Sequence, residues 1–93
     1  MEKENYDNGQ KAYDKMGDTV TYYHRNGEVK ARGDAIDEKM EGEWSFYRED
    51  GQLWQVGNFR NNEKHGRWIR YDHEGEVEDD EEYEGGHLVK NDK

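Results

Sequence analysis

Apolar and polar residues alternate in short runs along this chain, and polar clusters containing glycine separate the runs. Leu53, Gln55, Gly57 and Phe59 alternate with Trp54, Val56, Asn58 and Arg60. That period of two sends successive side chains to opposite faces of a β-strand, so the first four are predicted to share one face and the second four the other. Trp44 and Phe46 likewise oppose Ser45 and Tyr47. A spacing of three cannot put Trp44 and Tyr47 on one face of a regular strand. Either a bulge intervenes or both faces carry aromatics.

The runs recur at a fixed interval. Gly27, Gly51 and Gly75 stand 24 residues apart, and so do Tyr23, Tyr47 and Tyr71. Val29, Leu53 and Val77 keep the same step, as do Val20, Trp44 and Trp68, and Ala35, Phe59 and Tyr83. Gly33 pairs with Gly57 and Gly42 with Gly66 at that distance. Register-locked self-similarity marks a repeat architecture, here three copies over residues 18–41, 42–65 and 66–89. Each copy reads as a hairpin. Strands are predicted at 19–23, 44–47 and 68–71 before the repeat glycine, and at 29–35, 53–60 and 77–83 after it. The glycine supplies the left-handed conformation that closes a short turn, often with a bulge. Second turns at 36–42 and 60–66 lead onward. The expected fold is all-β, a single twisted antiparallel meander of about six or seven strands.

The ends are partial copies. Residues 6–11 resemble residues 59–64, the exit of a repeat, so residues 1–17 read as a partial repeat and linker. Between Met1 and Tyr6 no apolar residue anchors the chain, so residues 1–5 are expected to fray. Gly85-Gly86 makes a tight turn that allows a last edge strand at 87–90, and 90–93 is a short tail.

Composition narrows the partners. Hydrophobic residues make up 29% of the 93 and charged residues 41%, a balance near that of disordered chains. The regularly spaced aromatics argue instead for a thin folded core. The net charge is −10, and nine of the 24 acidic residues fall within residues 72–84, which hold no Lys or Arg. Nucleic acid and anionic membrane are therefore poor partners, and a basic protein is a good one. No cysteine is present, which excludes disulfides, thiolate catalysis and cysteine metal sites. The polar start predicts no secretory signal and a cytoplasmic location.

The segment 59–75, Phe-Arg-Asn-Asn-Glu-Lys-His-Gly-Arg-Trp-Ile-Arg-Tyr-Asp-His-Glu-Gly, resembles the bacterial variant of the MORN repeat, typical of YwqK-type antitoxins. The first copy departs from the pattern, with Val20 at the Trp position and Asp18 at the Gly position. The resemblance implies an elongated single sheet built from three MORN-like repeats. It also implies protein–protein binding of an antitoxin or immunity kind.

Catalytic chemistry finds little support. Ser45 is the only serine and sits inside a predicted strand; with Thr19 and Thr21 it exhausts the Ser, Thr and Cys nucleophile candidates. His24, His65, His73 and His87 fall in or beside turns without metal-ligand spacing. No cofactor is expected. The acidic run Glu76, Glu78, Asp79, Asp80, Glu81, Glu82 and Glu84 has three readings. It lacks a calcium-loop pattern as a cation site, it can be a solvated edge that blocks strand-to-strand association, or it can dock a basic partner. Alternation predicts Glu76, Glu78, Asp80 and Glu82 on one face, and Asp79 and Glu81 beside Tyr83 on the other. Such a ladder can imitate a phosphate backbone.

A sheet of this size offers a face on the order of 600 Å², against about 800 Å² per partner in a standard interface. The expected function is non-catalytic binding that occludes a basic partner such as a toxin. Tyr47, Trp54 and Tyr71 are the expected anchors, with Glu76, Glu78, Asp79, Asp80, Glu81 and Glu82 as the charged surface. An acidic mimic inhibiting a DNA- or RNA-binding enzyme and a scaffolding module are the alternatives. A monomer or weak dimer is expected.

Overall fold

A computed structural model describes residue 5 and residues 9–89. The predicted fraying of 1–5, the tail 90–93, Lys90 and the Tyr6–Asn8 part of the partial copy lie outside these, apart from Asn5, which bridges to Lys11.

Eight antiparallel strands form one open sheet in chain order: β1 (Tyr13–Met16), β2 (Thr19–Tyr23), β3 (Val29–Ile36), β4 (Lys39–Tyr47), β5 (Leu53–Arg60), β6 (Glu63–Tyr71), β7 (Val77–Glu84) and β8 (His87–Leu88). The all-β meander is as the repeat predicts. The count exceeds six or seven because the N-terminal stretch contributes β1 and Gly85-Gly86 folds back the two-residue β8.

Two kinds of turn alternate. At one end Asp37 and Glu38 (φ 53° and 66°) and Asn61 and Asn62 (φ 55° and 74°) form two-residue turns, with the paired positive φ angles that suit the twist of a hairpin. At the other end Gly27, Gly51 and Gly75 adopt φ of 96°, 91° and 82°. There the amide of Gly51 donates to Arg48 O (2.9 Å) and the amide of Arg48 to Gln52 O (2.8 Å), and the Gly27 and Gly75 turns repeat this geometry. Valine at Gly51 must take a conformation hostile to β-branched side chains, and its Cβ would lie 3.2 Å from the Glu28 carboxylate. Gly51→Val is expected to cost roughly 1–3 kcal/mol, whereas Glu49→Gln on the exposed turn should stay within about 0.5 kcal/mol. Thermal melts of the two variants test the assignment, which fails if Gly51→Val melts no earlier than Glu49→Gln.

The same end of every repeat carries a β-bulge. Phe46 pairs with Gln55 but Tyr47 with Leu53, leaving Trp54 as the extra residue. Lys30 and Glu78 are the extra residues opposite Tyr22–Tyr23 and Arg70–Tyr71. The bulge corrects the predicted faces. Leu53 pairs with Tyr47 and so lies across the sheet from Gln55, Gly57 and Phe59, because one additional residue inverts the alternation. Trp44 and Phe46 still oppose Tyr47, and both faces carry aromatics.

One face holds the core. Val20, Ala31, Trp44 and Trp68 are its buried hydrophobics, and Trp44 is only 1% exposed. A single sheet has no second layer to cover an indole, so the sheet covers it with its own backbone. Trp44 lies over Gly33 and Trp68 over Gly57, where any Cβ would meet the ring at under 3.0 Å. Each indole Nε1 donates to a carbonyl one residue past that glycine, Trp44 to Asp34 O and Trp68 to Asn58 O, both at 2.9 Å. Burial of the indole thus leaves its polar atom satisfied. Tyr22, Phe46, Phe59 and Tyr83 link the indoles into a chain of rings with centroids 5.1–6.5 Å apart.

Candidate functional site

The three long turns stack at one end of the sheet, tied by hydrogen bonds between repeats. His24 Nε2 lies 2.9 Å from Tyr47 O, Asn26 Nδ2 donates to Glu49 O (2.7 Å), and Gln52 Nε2 donates to His73 O. Arg48 Nη2 donates to Tyr71 O (2.9 Å) while its guanidinium carbon stands 5.9 Å from the Trp54 ring centroid. Arg48 Nε is buried without a hydrogen-bond partner among the described residues.

This end positions the predicted anchors. Tyr47, Trp54 and Tyr71 are half-buried on β4, β5 and β6, three consecutive strands. Tyr47 and Tyr71 occupy the face opposite the indoles, where Tyr47 lines a groove of about 270 Å³ with Glu28, Val29, Arg32 and Gly51. Trp54 does not stand free in solvent as its sequence neighbours suggest. It sits at the bulge with the Arg48 cation beside its ring, a pairing worth roughly 0.5–1 kcal/mol at exposed sites.

The acidic strand β7 follows directly beside Tyr71, which pairs with Val77. Asp79 and Glu81 share the indole face with Tyr83, and Asp80 and Glu82 point the other way. The four-carboxylate row predicted on one face does not form. Glu76 precedes the strand, its amide donating to Asp72 Oδ1 (2.9 Å), and Glu78 is the bulge residue.

Two arginines on β6 neutralise part of the run. Arg67 grips Asp80 with two hydrogen bonds (Nε–Oδ1 2.9 Å, Nη2–Oδ2 2.6 Å), and Arg70 binds Asp79 and stands 3.6 Å from Glu78. The Arg67 hydrogen bonds hold the Asp80 carboxyl below the usual carboxylate range, and the same contact raises Arg67. Among the described residues, Glu76, Glu81, Glu82 and Glu84 form no ion pair. Sequence reasoning overlooked these arginines; a regular register about Gly75 sets Arg70 against Glu78, and the bulge at Glu78 moves its partner to Asp79. On the indole face the Lys64 ammonium lies 4.7 Å and 4.6 Å from the Trp68 and Tyr83 ring centroids.

Among the described residues no group of three or more His, Asp or Glu side chains is arranged to hold a metal ion, and no helix is long and apolar enough to cross a membrane.

The family described as MORN repeat variant matches residues 40–61, from the start of β4 to the turn after β5. The matched unit contains Trp44, the Gly51 turn, the Trp54 bulge and Gly57. This match supports a MORN-repeat protein. No curated protein and no solved structure matches the chain.

Proposed function

We propose that the protein is a non-catalytic protein-binding module that docks a basic partner at the β4–β7 side of its long-turn end and covers the partner's working surface, as an antitoxin or immunity protein does. The observation that carries this reading is the juxtaposition at that end. Tyr47, Trp54 and Tyr71 lie on three successive strands, and the turn after Tyr71 brings the exposed carboxylates of Glu74 and Glu76 to the same end, with Glu81, Glu82 and Glu84 farther along β7 toward the Gly85-Gly86 turn. Aromatic side chains supply most of the affinity at protein interfaces, while unpaired charge steers the encounter. The nucleic-acid mimic has less support, because Arg67 and Arg70 interrupt the carboxylate series such mimicry needs.

Capture of the partner from the native host, followed by binding kinetics, tests the proposal. Neutralising Glu76, Glu81, Glu82 and Glu84 together is expected to slow association about tenfold or more at low salt and to flatten its salt dependence. Neutralising Glu78, Asp79 and Asp80, already paired, should do less. Tyr71→Ala is expected to act mainly on dissociation, by roughly tenfold or more. An acidic partner, or unchanged association of the first variant, would overturn the docking surface.

A further inference from the structure

The indole face contains a vacancy at its other end. Trp44 and Trp68 each lie over a glycine of the preceding strand, but the first copy of the column has Val20, and its partner on β1 is Lys15 rather than glycine. The first hairpin is also short. β2 has five residues where β4 and β6 have nine, so the far part of the β3–β4 hairpin extends past the Ala35 N–Asp18 O hydrogen bond (2.8 Å) uncovered by β2, while on its other side Met40 pairs with Asn62. A groove of about 430 Å³ results, within the roughly 300–1,000 Å³ typical of ligand sites. Val20, Tyr13, Tyr22 and Trp44 line it together with Ala35 and Met40, and Lys15, Glu38 and Asn62 form its polar border.

We propose that this groove receives one aromatic side chain presented by a partner protein, with a basic residue beside it. In the second and third repeats the chain's own indole fills the corresponding place, packed against the rings that neighbour it in the sheet. In the first repeat the same class of wall remains and the ring is missing. Tyr13, Tyr22 and Trp44 already interact with centroids 6.1 and 6.3 Å apart, a spacing at which an added ring gains edge or offset contacts. Glu38, exposed at the hairpin tip and without an ion pair among the described residues, pairs with an adjoining positive charge on its own side of the groove, and Lys15 supplies the opposite charge on the same border. The groove lies across the sheet from Tyr47 and several strands from β7, so the inference stands apart from the docking surface proposed above.

The test is a titration of the whole ¹⁵N-labelled chain with acetyl-Lys-Trp-Lys-amide and acetyl-Lys-Ala-Lys-amide, followed by NMR. The Trp peptide is expected to give saturable shifts at the amides of Val20, Tyr22, Ala35 and Met40 and at the Trp44 indole. The Ala peptide should bind at least tenfold more weakly. The pair Lys15→Gly and Val20→Trp completes the repeat with its own ring and should abolish those shifts. Tyr13→Ala, which removes one wall from an edge strand and leaves Trp44 in place, should weaken binding several-fold and decides the matter if the double variant does not fold. Equal titration by both peptides, no saturable shift, or unaltered binding by Tyr13→Ala overturns the proposal. Neutralising Glu81 and Glu82 should leave these shifts unchanged, which separates this site from the acidic strand.

Discussion

Gly57→Ala is expected to destabilise the protein by roughly 3 kcal/mol, at the upper end of overpacking costs, because the new methyl group would occupy the space of the Trp68 ring. The indole cannot slide within the sheet, since its Nε1 is held by Asn58 O. It must lift off, which loses that hydrogen bond and exposes one of four buried apolar side chains. At about 4–8 °C per kcal/mol for a domain of this size, the melting temperature should fall by roughly 12–24 °C. A double-mutant cycle identifies the cause. Combined with Trp68→Ala, the Gly57 change should add little, because the ring it displaces is gone. Additive losses would show that the cost lies in the Gly57 backbone and not under the indole.

Trp44→Ala should be still more damaging. Trp44 is the one side chain among the described residues with almost no exposed surface, and it touches the Val20–Ala31 cluster, Phe46 and Phe59. Truncation of a buried Trp costs about 3–5 kcal/mol, while the whole stability expected for 93 residues is on the order of 5–14 kcal/mol. Urea unfolding should show a midpoint lowered by about a fifth or more, and loss of amide dispersion at modest warming. Trp44→Phe keeps a ring over Gly33 but abandons the bond to Asp34 O, so it should fall between wild type and Trp44→Ala. Equal stability of Trp44→Ala and wild type would mean that this face is not the core.

The columns of Gly, Tyr and Trp made the meander legible, because a repeat of 24 residues with two turn signals leaves few other ways to pair the strands. The paired role of Trp44 with Gly33 and of Trp68 with Gly57 was present as two separate columns. Only the sheet register shows that one lies on the other. A bulge often accompanies such a glycine turn, but its position at Lys30, Trp54 and Glu78 was hidden, since the extra residue is Lys, Trp and Glu in turn. Missing them reversed Leu53 and scattered the predicted row of Glu76, Glu78, Asp80 and Glu82. The acidic stretch itself was plain from charge alone. Its partial neutralisation by Arg67 and Arg70 depends on cross-strand contact, and a count of charges by position does not show it.

Every strand pairs only with the strands before and after it in the chain. Sheets are usually slow to fold because distant segments must meet before any contact rewards the lost entropy. In this chain each hairpin closes a loop of only a few residues and then offers its edge to the next, so folding can start at any hairpin and spread as a zipper does. Loop closure therefore costs nearly the same at every step, and lengthening such a chain by further 24-residue units would raise its stability without slowing its assembly in proportion.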